Sequence, residues 1–274
     1  MSDEMASQHT GRKTSKQWQE EAAEEWDRYA DIWDSWTPDD SRDDAEEAAD
    51  FLAALAKDGT ALELGIGTGR VALPLAQRGV RVAGIDASPK MLQKLKEKPG
   101  GDQIEAIEGN FADVDVEEKY DVVFIALATL FVLPDQDEQA RCLANSAKAL
   151  KPGGRVVVQN IVPDMTYYQR GRQNDYGMTE PFRISGRLAG HPRLAWFEMN
   201  HVDPTTQMVK RTDVIMSEKG NKIIAATMRF VWPSEQDLMA RLGGLELEDR
   251  WGGWRKEPFH YDSRDAVSVY RKQQ

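Results

Sequence analysis

The chain has 274 residues, 41% hydrophobic and 30% charged, which is enough apolar content for a buried core and too much for a disordered chain. Its net charge of -11 opposes general binding to nucleic acid or anionic membranes, because affinity for phosphate comes from clustered Lys and Arg. One cysteine, Cys142, excludes an internal disulfide, and the polar N-terminal segment holds no apolar run of signal-peptide length.

No window approaches the roughly 18 apolar residues of a membrane span. The expectation is therefore a cytoplasmic protein with no membrane and no nucleic-acid partner. The charge is uneven: residues 1–60 hold 6 basic and 17 acidic residues, and the rest of the chain balances. Residues 162–232 are slightly basic, 10 against 7. The acidity is expected on the solvated faces of N-terminal helices, so it does not by itself argue for a cationic substrate.

In chain order, residues 1–15 form a polar tail, expected to be disordered. Residues 16–36 predict one helix, with Trp18, Ala22, Trp26, Tyr29, Ile32, Trp33 and Trp36 at three- and four-residue spacing. TPDDS at 37–41 breaks it, and 43–57 predicts a second helix with Ala48, Phe51, Leu52 and Leu55 on one face. Together they make a helical cap over 16–58. Strands follow at 60–66, 80–86, 103–109, 120–128 and 155–161. Between them lie helices at 67–79, 88–98 and 135–150, the last closed by KPGG. Such alternation predicts a doubly wound, Rossmann-like α/β fold with a mostly parallel sheet. Residues 163–192 read as loop. Segments 193–202, 207–216 and 222–232 read as antiparallel strands. A helix at 233–244 and strands at 245–251 and 266–272 close the chain. The α/β domain therefore covers 59–161 and 233–274, and 162–232 is an antiparallel β insertion.

ELGIGTGR at 63–70 joins a strand to a helix. Its glycines, 65, 67 and 69, allow close backbone approach to a ligand, and Asp86 ends the next strand, where a carboxylate accepts from ribose hydroxyls. A tight turn with no ligand is the plain alternative. A nicotinamide dinucleotide would want a small residue where Arg70 stands, and Glu63 would repel its pyrophosphate. S-adenosylmethionine has no phosphate and carries an ammonium and a sulfonium, for which Glu63 is an asset.

ELGIGTGR, GIDAS with SPKML, EGNFAD, the YDVVFIALAT strand and LKPGGRVVV, in that order, resemble the class I S-adenosylmethionine-dependent methyltransferases. The resemblance runs through 60–161 and returns at 233–273. It implies a seven-stranded sheet with the last strand antiparallel, and S-adenosylmethionine as cofactor. It also implies that Glu63 and the backbone of Gly65, Gly67 and Gly69 hold the methionine end, and that Asp86 binds the ribose. Ala87 and Met91 would lie near the adenine, Asn110 and Phe111 would contact its edge, and Leu127 would lie under the methyl group. EEWDRYADIWDSW resembles the N-terminal segment of small-molecule methyltransferases, where an aromatic residue touches the methionine carboxylate and the acceptor. Tyr29 and Trp33 are the matching residues, Tyr29 also as a catalytic candidate, with Arg42 as a further partner for the carboxylate. The insertion resembles the lid of sugar, glycine and antibiotic N-methyltransferases. Tyr167, Tyr168, Tyr176, Trp196 and Phe197 would then line the acceptor pocket.

Methyl transfer from a sulfonium is an in-line displacement, so alignment and water exclusion are the protein's main contributions. A neutral amine needs no strong base, whereas a hydroxyl usually does. Of the four histidines, His9, His191, His201 and His260, only His201 is a base candidate, because its strand is expected over the pocket. No His or Cys cluster has zinc spacing and no acidic set suggests magnesium, so no metal is expected. Cys142 lies inside a helix and is not expected to be a nucleophile. The expected acceptor is a small molecule, an amine before a hydroxyl. An O-methyltransferase of a small metabolite, a protein or RNA methyltransferase and a cofactor-binding protein with repurposed chemistry stay open. So does a homo-oligomer.

Overall fold

Strands that are apolar on both faces must be covered on both faces, and this principle orders the molecule. In the computed structural model, residues 15–36, 44–116, 119–163, 183–187, 194–218 and 220–273 are described. Strands β1 (Thr60–Leu64), β2 (Arg81–Asp86), β3 (Glu105–Glu108), β4 (Tyr120–Ile125), β5 (Leu150–Ile161), β10 (Leu245–Trp251) and β11 (Asp265–Lys272) form one sheet in the order β10-β11-β5-β4-β1-β2-β3. Strands β1 to β5 pair in parallel, and β11 enters antiparallel beside β5. This is the seven-stranded topology that the resemblance implies.

Alternate residues of each strand supply two cores. Leu62, Leu64, Val123 and Val156 pack on one face with α6 (Gln136–Ala149) and α7 (Pro233–Leu242). Ala61, Val122, Phe124 and Val157 pack on the other with α3 (Ala45–Ala56), α4 (Ala72–Gln77) and α5 (Pro89–Glu97). Local chemistry fixes the helix starts: Ser88 Oγ accepts the Met91 amide at 3.1 Å, and Asp135 accepts that of Glu138 at 2.9 Å.

A second sheet, β6 (Arg183–Arg187), β7 (Leu194–Asp203), β8 (Met208–Ser217) and β9 (Gly220–Arg229), is wholly antiparallel. Strand β6 corrects the expectation of loop throughout 163–192; its RISGR sequence lacks the long alternation that reveals β7 to β9. The rest of that stretch, with Tyr167, Tyr168, Tyr176 and His191, lies outside the described residues, as do the tail with His9, the 37–41 break and Arg42.

Two further boundaries differ from the periodicity. The helix expected over 16–36 is α1 (Ser15–Tyr29), a turn, and a short α2 (Trp33–Trp36). The turn folds Trp33 back onto Trp26, with ring centroids 5.5 Å apart and edge to face. It also lets Asp34 reach Thr68 Oγ1 at 2.6 Å and Lys98 at 2.8 Å. The strand expected over 120–128 stops at Ile125, because Leu127 and Ala128 turn into the left-handed region at φ 52° and 58°.

Candidate active site

The glycine loop, the carboxyl ends of β1, β2, β4 and β5, helix α1 and the edge of the second sheet enclose one cavity of about 320 Å³. Helix α1 closes it because Asp27 accepts from Ser88 Oγ at 2.6 Å and from the Lys90 amide at 3.2 Å, at the start of α5.

At the glycine loop, Gly65 has φ 77°, and a Cβ there would lie 2.2 Å from Thr129 Cγ2, so only glycine fits. The Gly67 amide donates to Asp86 Oδ2 at 2.7 Å, and the Ser88 amide donates to Asp86 Oδ1 at 2.9 Å. These bonds fix the carboxylate and leave each oxygen a lone pair for a ligand hydroxyl. Burial pushes the Asp86 carboxyl up to about 6 against those amides.

Glu63 is 4% exposed, and its Oε2 has no hydrogen-bond partner. Burial pushes this carboxyl up to about 8, against the pull of Arg70 and the Ala72 amide. A buried carboxylate oxygen at a cavity wall is expensive unless a cation meets it. These residues fit S-adenosylmethionine, whose ammonium would meet Glu63 and whose ribose would meet Asp86. They do not fit a pyrophosphate.

The cavity wall includes Trp33, Glu63, Gly65, Gly67, Asp86, Ala87, Met91, Asn110, Phe111 and Leu127. Asn110 Oδ1 accepts the Ala112 amide at 2.9 Å, and its side chain also bonds to Glu138. Other expected residues lie elsewhere. Gly69 stands behind the wall, where a Cβ would meet Leu95 at 2.4 Å. Tyr29 is 2% exposed and absent from the wall, because its hydroxyl donates to Asp213 Oδ2 at 2.5 Å. Trp196 is buried under Tyr29, its ring stacked at 6.5 Å and its Nε1 donating to Asp213 Oδ1 at 3.0 Å. Phe197, one residue on, points to the opposite face and is 39% exposed. His201 shares that alternation, sits opposite Lys210 and is exposed, so its strand does not bring it to the cavity. His260 is exposed beside Asp262.

The cavity also holds residues that the sequence did not single out. Glu25 of α1 is half-buried at the wall, an exception to the mostly solvated placing expected of the N-terminal acidity, and Glu21, one turn away, lines the same cavity but is exposed. Burial pushes the Glu25 carboxyl up to about 7, against the Thr227 amide that donates to it and the nearby Arg211. Arg211 lines the same end and is bound to Asp213 at 2.8 Å and Glu198 at 3.1 Å. Arg70, which departs from the dinucleotide pattern, lines the cavity beside Glu63 and the glycine loop with Nη1 on Asp44 at 2.6 Å. The inward alternation of β8 was the available signal for Arg211; no signal set Glu25 apart from the other α1 acids.

The methyltransferase domain family matches residues 61–154. A cypemycin N-terminal methyltransferase from a Streptomyces species is 30% identical over 216 residues, covering 78% of this chain and 83% of that protein. The solved CcbJ methyltransferase from Streptomyces caelestis is 38% identical with a TM-score of 0.80, over 91% of this chain and 98% of that one. The S-adenosylmethionine-bound amino pentose methyltransferase from Micromonospora echinaspora shares the fold, with a TM-score of 0.64 at 18% identity over 89% and 97% of the two chains. The cradle of Glu63, Gly67 and Asp86 on this topology and the likeness along most of the chain agree, and the chain belongs to the class I S-adenosylmethionine-dependent methyltransferases.

Proposed function

We propose that the enzyme methylates the nitrogen of a small-molecule amine. The observation that carries this reading is the charge at the acceptor end of the cavity. Glu25 faces it from α1, half-buried, and the guanidinium opposite, Arg211, is already bound by Asp213 and Glu198. The carboxylates around this guanidinium outnumber it, and a negative surplus held away from water favours a cationic ligand. The remaining wall, with Phe131, Val132, Leu133, Ile161 and Met228, is apolar and suits the body of a small organic molecule. The names of an N-terminal methyltransferase and an amino pentose methyltransferase among the similar proteins point the same way.

In this reading Glu63 holds the ammonium of the methionine end, the Gly65 and Gly67 backbone lets it approach, and Arg70 meets the carboxylate. Asp86 holds the ribose. Ala87, Met91, Asn110 and Phe111 surround the adenine, with the Met91 thioether against a ring face. Leu127 and Trp33 flank the reacting centre. The protein then contributes alignment and water exclusion, and the bound donor supplies the methyl group.

The test is a panel of amines, phenols and carboxylates with methyl-labelled S-adenosylmethionine, followed by identification of the labelled atom. Label on nitrogen is expected. Label on oxygen, with every amine inert, overturns the reading.

A further inference from the structure

We propose that Glu25 is the anchor for the acceptor's ammonium and the base that takes its proton before attack. The inference rests on the amine reading above and adds the residue and the proton step.

Glu25 meets the geometric needs of both roles. It lines the cavity from α1, one turn from Glu21, and its carboxylate accepts the Thr227 amide of edge strand β9. That bond fixes the carboxylate and leaves lone pairs for a ligand N–H. The groups facing it come from every element around it. On α1 they are Glu21, Arg28 and Tyr29; on β8 they are Arg211 and Asp213. Lys90 and Lys94 of α5 and Lys222 of β9 instead reach Asp27 and Asp31 on α1. Arg211 is divided between Asp213 and Glu198, and Tyr29 keeps its proton because burial and Asp213 push its phenol far up. Arg211 and Arg28 both pull on the Glu25 carboxyl, but among the described residues neither forms an ion pair with it, so Glu25 is a half-buried carboxyl at this end still open to a ligand cation. Its value of about 7 suits a base that must be ionised to hold an ammonium and protonated once it has taken the proton.

The step balances. An amine at neutral pH arrives as an ammonium with no lone pair. One N–H proton passes to a Glu25 oxygen, and the freed pair forms the new carbon–nitrogen bond. The carbon–sulfur bond breaks, and its electrons stay on sulfur. The product nitrogen leaves as a methylated ammonium, and Glu25 returns its proton to solvent.

Two measurements test the proposal. The first needs no knowledge of the natural acceptor: calorimetric binding of benzylammonium and of benzyl alcohol to the full-length protein saturated with S-adenosylhomocysteine. At pH 7.5 the wild type should prefer benzylammonium by about tenfold, the scale of one charged hydrogen bond. Glu25→Gln should abolish that preference and leave cofactor affinity unchanged, because glutamine still accepts the Thr227 amide. The second uses the best amine of the panel. In wild type kcat/KM should rise with pH to a plateau above about 7. Glu25→Gln should lower kcat by about 100-fold and remove that limb. An intact benzylammonium preference in Glu25→Gln, or an unchanged pH limb, overturns the proposal. Methylated oxygen in the panel would instead overturn the amine reading, which the benzylammonium preference reads independently.

Discussion

Tyr29 and Asp213 stand 184 residues apart in the chain and meet at 2.5 Å, both buried, with the phenol donating to Asp213 Oδ2. Asp213 also accepts from Trp196 Nε1 and Arg211 Nε, so one aspartate joins the cap helix to three positions of the second sheet. Tyr29→Phe removes one of these donors and should destabilise the protein by about 1–3 kcal/mol, measured by urea unfolding. Because Tyr29 is absent from the cavity wall, S-adenosylmethionine affinity should change by less than about threefold, well within the ~0.7 kcal/mol that this ratio represents. A large loss of affinity with no loss of stability would return Tyr29 to the cofactor.

Glu63 predicts the pH dependence of cofactor binding. Its carboxyl is held at about 8 by burial, so below that pH it is protonated before the donor arrives. A bound ammonium favours the ionised form, so binding must release a proton. Affinity should therefore rise with pH between 6 and 7.5, approaching tenfold per unit. Calorimetry in buffers of different ionisation enthalpy should count close to one proton released. Glu63→Gln should bind more weakly and release none. The same shift acts on folding: the native state holds a proton that the unfolded chain has lost. Stability without ligand should therefore fall by about 1.4 kcal/mol per pH unit per such carboxyl between its unfolded value near 4.5 and about 8. Glu63→Gln should flatten that slope.

Asp86 joins the glycine loop to the start of α5 through the Gly67 and Ser88 amides. Asp86→Ala leaves both amides without this partner and removes the ribose acceptor. S-adenosylmethionine binding should weaken by about 1.5–3 kcal/mol, roughly 10- to 150-fold. Asp86→Asn keeps one carbonyl acceptor and should lose less. Equal affinity in wild type and Asp86→Ala would exclude this carboxylate from the cofactor site.

The sequence made the parallel sheet readable because strands buried on both faces are nearly continuous apolar runs, as in YDVVFI and RVVV. One wall of the cavity was legible because Glu63, Gly65, Gly67 and Asp86 belong to one short strand–loop–helix–strand segment. The opposite wall was not. Glu21 and Glu25 sit among other acids on α1, and which of them faces inward depends on how the helix docks on β9. Tyr29 was placed by resemblance at the methionine carboxylate, but its partner, Asp213, is too distant in sequence for any local pattern to reveal. Strand alternation put Trp196 and Phe197 on opposite faces, and the sheet then placed one in the core and the other in solvent, with neither at the cavity.

Gln159 gives the last prediction. Its Oε1 accepts the Leu127 amide at 2.9 Å, and its Nε2 donates to Asp44, which in turn holds Arg70 at 2.6 Å. Leu127 and Arg70 both line the cavity, so this relay ties the loop after β4 to the loop after β1. Leu127 and the following Ala128 both adopt positive φ, a conformation that costs about 1–2 kcal/mol at a non-glycine residue and persists only under restraint. Gln159→Leu removes the side-chain part of that restraint and spares the main-chain bond from the Ala128 amide to the Gln159 carbonyl. The Leu127 amide and Asp44 each lose a partner, so stability should fall by about 1–3 kcal/mol or more. Cofactor affinity should fall with it, because both ends of the relay relax. Gln159→Glu keeps the acceptor for Leu127 but sets a carboxylate against Asp44, and it should loosen the Arg70 end alone. Hydrogen exchange reads the Leu127 amide directly: it should become faster in Gln159→Leu and stay protected in Gln159→Glu. Equal protection in the two variants would mean that the Gln159 side chain does not hold the strained loop.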